Sequence, residues 1–186
     1  MILFINACVR RSSRTKQLAD RVLAKLDGPV EEVRVWEIPF QAVDEDYLNS
    51  RYGLLDEGRF DDPMFSHARQ FARADRIVIA APYWDHSFPA ALKQYLESVC
   101  ILGVTFAYNE QGLPYSLCRA DALWYVTTAG GEILSNAYGF GYVRALARDF
   151  FGIGTVREFK AEKLDLVGAD VPGIMVEALA RVDAEL

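Results

Sequence analysis

The sequence predicts an α/β three-layer sandwich, in which a five-stranded parallel sheet of order 2-1-3-4-5 lies between helices on both faces. Short runs of apolar and β-branched residues alternate along the chain with stretches in which apolar residues recur at helical spacing. A helix between consecutive strands provides the right-handed crossover that each parallel strand requires. The 186 residues, 52% of them hydrophobic, predict a single domain over residues 1–186.

The first half of the chain contains two predicted strands, each followed by a helix. An apolar strand over residues 2–6 precedes a polar loop and an amphipathic helix that ends before Gly28. Residues 30–36 alternate between apolar and charged side chains, as a half-buried strand does. A helix is predicted over residues 62–74, because it starts with an Asp-Pro pair suited to an N-cap and a first turn.

The second half repeats the alternation three times. The run RIVIAAP is rich in β-branched residues and ends at a proline, which is typical of a strand buried on both faces. The next helix has Pro89 in its first turn, and the following strand, ALWYVTTAGG, runs into a glycine pair. The predicted elements are strands over 76–82, 122–131 and 154–162, and helices over 88–100, 137–151 and 171–185.

Two segments interrupt this alternation, residues 40–61 and 103–118. The first is rich in acidic and aromatic residues, and the second has the pattern of a hairpin around Asn-Glu-Gln-Gly. Both are predicted to be lids that fold over a ligand.

Composition excludes several classes of function. The net charge of −6 gives no basic surface for nucleic acid or an anionic membrane. No apolar run approaches the roughly 20 residues that span a bilayer, and the N-terminus enters a strand without a charged leader, so a cytoplasmic protein is expected. Three cysteines without a C-x-x-C pair, and only two histidines, predict no metal site.

The predicted topology places the ligand site. In open parallel sheets, ligands bind beyond the carboxyl ends of the strands, where the strand order reverses, here between the first and third strands. The chemistry is therefore expected in the loops over residues 7–15, 82–88 and 127–136.

The first of these loops, NACVRRSSRT, has two interpretations. Cys8, Arg14 and Thr15 match the C-x5-R-[ST] pattern of cysteine phosphatases, in which a thiolate attacks phosphorus and an arginine binds its oxygens. The five residues between the cysteine and the arginine include neither glycine nor asparagine, which such a loop needs to turn its amides inward. The phosphatase interpretation is therefore the weaker one.

In the second interpretation, the loop holds the phosphate of a cofactor without reacting with it. Ser12, Ser13 and Thr15 open a helix, where free amides and the helix dipole favour an anion. Arg10 from the same loop adds a cation. Serine and threonine at a helix start are also common as simple N-caps, so this signal depends on the other loops.

The segment APYWDHSFPAALKQYLE, residues 81–97, resembles a diagnostic stretch of the FMN-dependent NADH-azoreductase and NAD(P)H-quinone oxidoreductase family, which has a flavodoxin-like fold. The loops INACVRRSSRTKQLA and GVTFAYNEQGLPYSL, and the later YVRALARDFFGIG, are similar to further segments of that family in the same order. The resemblance covers nearly the whole chain. It implies a noncovalent FMN, NADH or NADPH as electron donor, and a homodimer with each flavin at the subunit interface.

The resemblance also implies which residues contact the cofactor. An isoalloxazine is a flat apolar ring system with a polar edge, and it needs aromatic walls and closely approaching backbone. The residues expected along the ring are Pro82, Tyr83, Trp84 and Asp85, and those expected near its pyrimidine edge are Thr128, Ala129, Gly130 and Gly131. The implied reaction is ping-pong hydride transfer to quinones, azo compounds or nitroaromatics.

The sequence departs from the family pattern at two places. Cys8-Val9 replaces a Ser-Pro pair, and Ser12 can supply the missing hydroxyl. Asp85-His86 replaces an Asn-Phe pair, and His86 is either a proton relay to the acceptor or a solvated loop residue.

A one-electron carrier of the flavodoxin type is the alternative from another class of function. An acidic surface suits docking on redox proteins. However, Lys16 follows Thr15 where carriers have a glycine, so the enzyme interpretation is preferred.

Overall fold

The computed structural model describes residues 1–186, and a parallel sheet of five strands forms its centre. These strands are β1 (Ile2–Asn6), β2 (Val30–Arg34), β3 (Arg76–Ala80), β6 (Ala122–Thr128) and β7 (Thr155–Ala161). Their order is β2-β1-β3-β6-β7. The remaining strands, β4 (Phe106–Tyr108) and β5 (Pro114–Ser116), form a separate antiparallel hairpin, as predicted for residues 103–118. Without the hairpin the order is 2-1-3-4-5, so the predicted fold class is confirmed.

Six helices accompany the sheet. They are α1 (Arg14–Leu23), α2 (Glu45–Asp56), α3 (Ser66–Arg73), α4 (Ala90–Val99), α5 (Phe140–Asp149) and α6 (Val171–Glu185). Short 3-10 turns cover residues 35–37 and 63–65. Even α6, the longest with 15 residues, is too short to cross a bilayer.

One local prediction needs correction, and another is confirmed except that the helix predicted over 62–74 is a 3-10 turn followed by α3. Pro89 is the N-cap of α4 and not part of its first turn, because the helix begins one residue later than a first-turn proline requires. Asp62 caps the 3-10 turn that precedes α3, where its Oδ1 accepts a hydrogen bond from the amide of Met64 at 3.0 Å. The aspartate therefore does cap a helical segment, as its position before a proline predicts.

The central strands are buried on both faces, and their alternating side chains divide the core in two. On one face, Leu3, Ile5 and Ile77 pack with residues of α3, α4 and α5. On the other face, Phe4 and Val78 pack with residues of α1 and α6. The two layers of helices therefore hold the carboxyl ends of β1, β3 and β6 in a fixed arrangement at one edge of the sheet.

Helix α2 lies in the segment that was predicted only as a lid. Asp44 caps it by accepting a hydrogen bond from the amide of Tyr47 at 2.9 Å. The helix contains no fully buried residue, so it has no strong apolar stripe. The sequence signal of an amphipathic helix is therefore missing, and the element was not predicted for that reason.

Candidate active site

A pocket of about 310 Å³ opens at the carboxyl ends of the central strands, at the predicted switch point. Its walls come from the loops after β1, β3 and β6 and from the segment after β7. The pocket is lined by every residue predicted to contact the cofactor except Asp85 and Gly131. The volume is at the lower end of the roughly 300–1,000 Å³ common for ligand sites.

The first turn of α1 forms one end of this pocket. Ser13 is the N-cap, and its Oγ accepts a hydrogen bond from the amide of Lys16 at 3.2 Å. A hydroxyl that accepts in this way keeps its own hydrogen for a ligand. The free amides of the first turn and the dipole of α1 make this end attractive to an anion.

A pair of threonine hydroxyls joins α1 to the sheet. The Oγ1 of Thr15 lies 2.7 Å from that of Thr128 at the end of β6. One of the two donates to the other, so one hydroxyl hydrogen of the pair remains available to the pocket. The two predicted cofactor loops are thus already connected to each other.

Two arginines supply positive charge at the same end. Arg10 lines the pocket and makes no ion pair with any carboxylate of the chain. Arg14 also lines it, and its Nη1 lies 3.0 Å from Oδ1 of Asp165. Hydroxyls, amides and guanidinium groups in one place are the donors that a phosphate monoester requires.

Cys8 lies in the wall of the pocket, but it lacks the chemistry of a nucleophile. Its side chain is only 4% exposed, and its Sγ contacts the carbonyl oxygen of Ala80 at 3.7 Å. Burial raises the pKa of the thiol to about 11, although the polar side chains around it, among them Ser13 and Lys16, oppose this shift. Phosphoryl attack needs a thiolate, so the hydroxyl-cluster interpretation of this loop is the one that the geometry favours.

The other end of the pocket is aromatic. Pro82, Tyr83 and Trp84 follow β3 and line it, and the amide of Tyr83 donates to the carbonyl of Thr128 at 3.0 Å. Trp84 is 42% exposed, which is unusual for so large an apolar side chain. An anion-binding end beside an aromatic end fits FMN, whose phosphate and flat ring system need these two environments.

Comparison with known proteins places the chain in a family. The FMN-dependent NADH:quinone oxidoreductase 2 of Clostridium acetobutylicum is 32% identical over 186 residues, which cover 94% of this chain and 92% of the relative. The FMN-dependent NADH:quinone oxidoreductase of Clostridium beijerinckii is 33% identical over 189 residues, with 96% and 93% covered. A family model described as a flavodoxin-like fold matches residues 1–186. The chain belongs to this flavodoxin-like family. The family resemblance of the sequence is confirmed.

Solved structures support the same flavodoxin-like fold. An azoreductase from Bacillus anthracis superposes with a TM-score of 0.83 at 21% identity, over 99% of this chain and 97% of the other. An FMN-dependent NADH-azoreductase of the same species, in complex with FMN, gives 0.81 at 20% identity, over 99% and 96%. At such low identity these similarities concern the fold alone.

Asp85 and His86 lie outside the pocket of this flavodoxin-like protein. They are the two central residues of a hairpin turn, in which Trp84 and Ser87 exchange both backbone hydrogen bonds, at 3.0 and 2.8 Å. Both have positive φ, 51° and 66°, as a type I′ turn requires. Nδ1 of His86 lies 3.4 Å from the hydroxyl of Tyr83. The structure therefore does not bring Asp85 and His86 to the wall of the pocket.

The glycine pair after β6 also differs from its predicted arrangement. Gly131 does not line the pocket. Gly130 does, but a Cβ at this position would collide with the carboxylate of Asp165. The space that the missing side chain leaves is therefore filled by an acidic residue from the segment after β7.

Sequence reasoning missed Leu164 and Asp165 among the residues that line the pocket. Both follow the last strand of the sheet, and three backbone hydrogen bonds attach this segment to residues 129–131. The rule that ligands bind beyond the carboxyl ends of strands applies to β7 as well and was the available signal.

Neither predicted lid lines this pocket. Residues of the 40–61 segment instead border a separate apolar groove of about 530 Å³ beside α4 and α5. The hairpin β4–β5 exposes Tyr108 and Tyr115, about half of each side chain being accessible to solvent. Within one chain, these segments do not close over the candidate site.

Proposed function

We propose that this chain is an FMN-dependent NAD(P)H oxidoreductase that passes two electrons to quinones, azo compounds or nitroaromatics. The observation that carries the proposal is the single pocket at the switch point, where an anion-binding helix start faces an aromatic turn. The names of the curated relatives, FMN-dependent NADH:quinone oxidoreductases, agree with it.

The residues at the start of α1 would hold the phosphate of FMN. Ser12 and the available hydrogens of Ser13 and of the Thr15–Thr128 pair are neutral donors, and Arg10 adds an unpaired cation. Charge-assisted hydrogen bonds of this kind are about twice as strong as neutral ones. These residues bind and orient, and none of them takes part in electron transfer.

The aromatic turn would hold the ring system. Pro82, Tyr83 and Trp84 supply a flat apolar wall, and the bond from the amide of Tyr83 to Thr128 fixes that wall relative to the phosphate end. When bound, FMN would supply the two-electron redox chemistry between a reduced nicotinamide and the acceptor. The protein contributes orientation and exclusion of water.

We further propose that the active form is a homodimer. Exposed apolar side chains, each at least 40% accessible, occur in two places. Val9, Trp84, Leu134 and Tyr138 lie at the pocket rim and in the loops beside it, whereas Tyr108, Leu113 and Tyr115 lie on the β4–β5 hairpin, which packs against residues 150–152 after α5. The groove beside α2 adds Arg51, whose Nε is buried without a hydrogen-bond partner. A second copy would cover exposed apolar surface and would close the open side of the pocket.

The first experiment measures the visible spectrum of protein incubated with FMN, desalted, and mixed anaerobically with NADH or NADPH. Flavin bands that survive desalting and bleach within seconds with either nucleotide are expected, followed by reoxidation on adding a quinone or an azo dye. Failure to retain FMN would overturn the proposal. Retention with bleaching by dithionite only, through a stable one-electron state, would instead establish a carrier.

A separate experiment tests the dimer: the oligomeric state of a Tyr108→Glu variant is measured by light scattering and compared with that of the wild type. If the hairpin contributes to the dimer, a buried carboxylate there shifts the protein towards monomer and lowers acceptor turnover. A wild-type protein that is monomeric at micromolar concentration contradicts the dimer, while leaving FMN binding to be judged by the spectrum.

A further inference from the structure

Asp165 places a carboxylate at the end of the pocket where the other charged groups are cations. The segment that carries it is held by its backbone: the amides of Lys163, Leu164 and Asp165 donate to the carbonyls of residues 131, 129 and 130 at 2.9, 3.2 and 2.9 Å. Lys163 also adopts a positive φ of 67°, which turns the chain towards the pocket. The position of Asp165 is therefore set by main-chain bonds to the neighbouring loop.

The side chain of Asp165 contacts two pocket residues. Its Oδ1 accepts from Nη1 of Arg14 at 3.0 Å, although the two residues are 151 positions apart in the sequence. Its carboxylate also occupies the space beside Gly130 that a Cβ would need. Both neighbours line the pocket, so the carboxylate lies at the site and not on a remote surface.

The two arginines of the pocket differ in whether a carboxylate pairs with them. Arg10 has no carboxylate partner, whereas Arg14 pairs with Asp165. The side chains of Arg14 and Asp165 are 41% and 71% exposed, so water screens their attraction. A weak, solvated ion pair can exchange one partner for another anion at little cost.

We propose that Asp165 competes with the cofactor phosphate for Arg14, and that it thereby sets the affinity of the pocket for FMN. This inference rests on the proposed binding of FMN. When the phosphate binds, the Arg14 guanidinium moves from one anion to the other, and the released carboxylate stays close to a second negative group. Asp165 therefore makes FMN binding weaker than the hydroxyls and arginines alone would allow.

The test is equilibrium dialysis of wild-type protein and Asp165→Asn with FMN at low ionic strength. Asparagine keeps the size of the side chain and the backbone bond to Gly130, but it carries no charge. The Kd for FMN is expected to fall about fivefold in the variant, as appropriate to an exposed charge pair. The gain is expected to shrink at about 1 M salt, where the Debye length is about 3 Å.

Two further variants complete the test: the first controls for the loss of a negative charge, and the second shows whether the effect depends on Arg14. Glu185→Gln removes the same charge from an exposed arginine pair at the far end of α6, and it is expected to leave the Kd unchanged. In an Arg14→Gln background, adding Asp165→Asn is expected to give less than half of the gain seen in the wild-type background.

The outcomes separate the inference from the proposed function. Wild-type protein that does not bind FMN at all overturns both. Wild-type binding with an unchanged or weaker Kd in Asp165→Asn overturns only the inference, as does an equal gain in the Arg14→Gln background.

Discussion

The hydroxyl oxygens of Thr15 and Thr128 lie 2.7 Å apart and join the first turn of α1 to the carboxyl end of β6. Thr15 is 1% exposed, so its hydroxyl cannot exchange this partner for bulk water. The contact couples the loop that would bind phosphate to the loop that would face the flavin ring. Loss of one hydroxyl should therefore affect both folding and cofactor binding.

Thr15→Val should weaken FMN binding and lower stability. The change keeps the branched shape but removes one hydroxyl, leaving that of Thr128 without its partner. We expect the Kd for FMN to rise at least tenfold, since hydrogen bonds to charged groups contribute about 1.5–3 kcal/mol, and the free energy of unfolding to fall by about 1 kcal/mol. Dialysis and urea denaturation measure the two effects.

The control for this variant is Thr127→Val. Thr127 lies beside Thr128 on β6 and is as buried as Thr15, but its hydroxyl has no hydrogen-bond partner and lies outside the pocket. Its replacement should leave both the Kd and the unfolding free energy unchanged or slightly improved. Equal effects of the two variants would mean that the Thr15–Thr128 contact has no special role.

Cys8→Ala should retain FMN binding and acceptor reduction. The thiol is buried, and because its pKa is raised to about 11 it stays protonated at neutral pH. Neither wild type nor variant is expected to hydrolyse p-nitrophenyl phosphate, and iodoacetamide should leave Cys8 unmodified at pH 7.5 by mass spectrometry. Hydrolysis that disappears in the variant would restore the phosphatase interpretation.

Trp84→Ala should weaken the binding of FMN and riboflavin by similar factors, about tenfold each, because the side chain lines the ring end of the pocket. This contrasts with Thr15→Val, which should affect FMN far more than riboflavin. Trp36→Phe, outside the pocket, is the control. A Trp84 variant that discriminates between the two flavins would contradict the assignment of the two ends.

His86→Gly should keep or raise the free energy of unfolding, whereas His86→Val should lower it by about 1–2 kcal/mol. The reason is the positive φ of 66°, which glycine adopts freely and a β-branched residue does not. Because His86 is exposed and outside the pocket, kcat for quinone reduction and its pH profile should be unchanged in the glycine variant. An altered pH profile would instead support a proton relay.

Asp183→Asn should lower the Tm at neutral and mildly acidic pH but not at strongly acidic pH. Hydrogen bonds from Arg21 and Lys25 lower the pKa of Asp183 from 3.8 to about 2. A carboxyl group with a lowered pKa stabilises the fold above its unfolded pKa, and this is lost as the pH falls through its folded value. The difference in Tm between wild type and variant should therefore be constant above about pH 5, shrink as the pH falls and vanish about one pH unit below the folded pKa. A difference that does not shrink between pH 5 and pH 2 would exclude this ion pair as its cause.

Local pattern alone was enough to predict most of the secondary structure and much of the site. The five sheet strands and the helices α1, α3, α4, α5 and α6 follow from apolar periodicity, and the order of motifs along the chain identified the family. The loops after β1, β3 and β6 were found because the carboxyl ends of parallel strands meet at one edge. These features depend on neighbouring residues or on a general rule of topology.

The tertiary structure decided what depends on residues far apart in the sequence. Asp165 reaches Arg14 across 151 positions, and only the folded chain shows that it fills the space beside Gly130. Helix α2 escaped prediction because it buries no residue fully, so its sequence carries no apolar periodicity that would indicate a helix. The sequence by itself determined which residue types form the pocket, since propensity and periodicity are local. Their pairing, burial and ionisation were decided by the fold, because electrostatic and hydrogen-bond energies depend on distance in space.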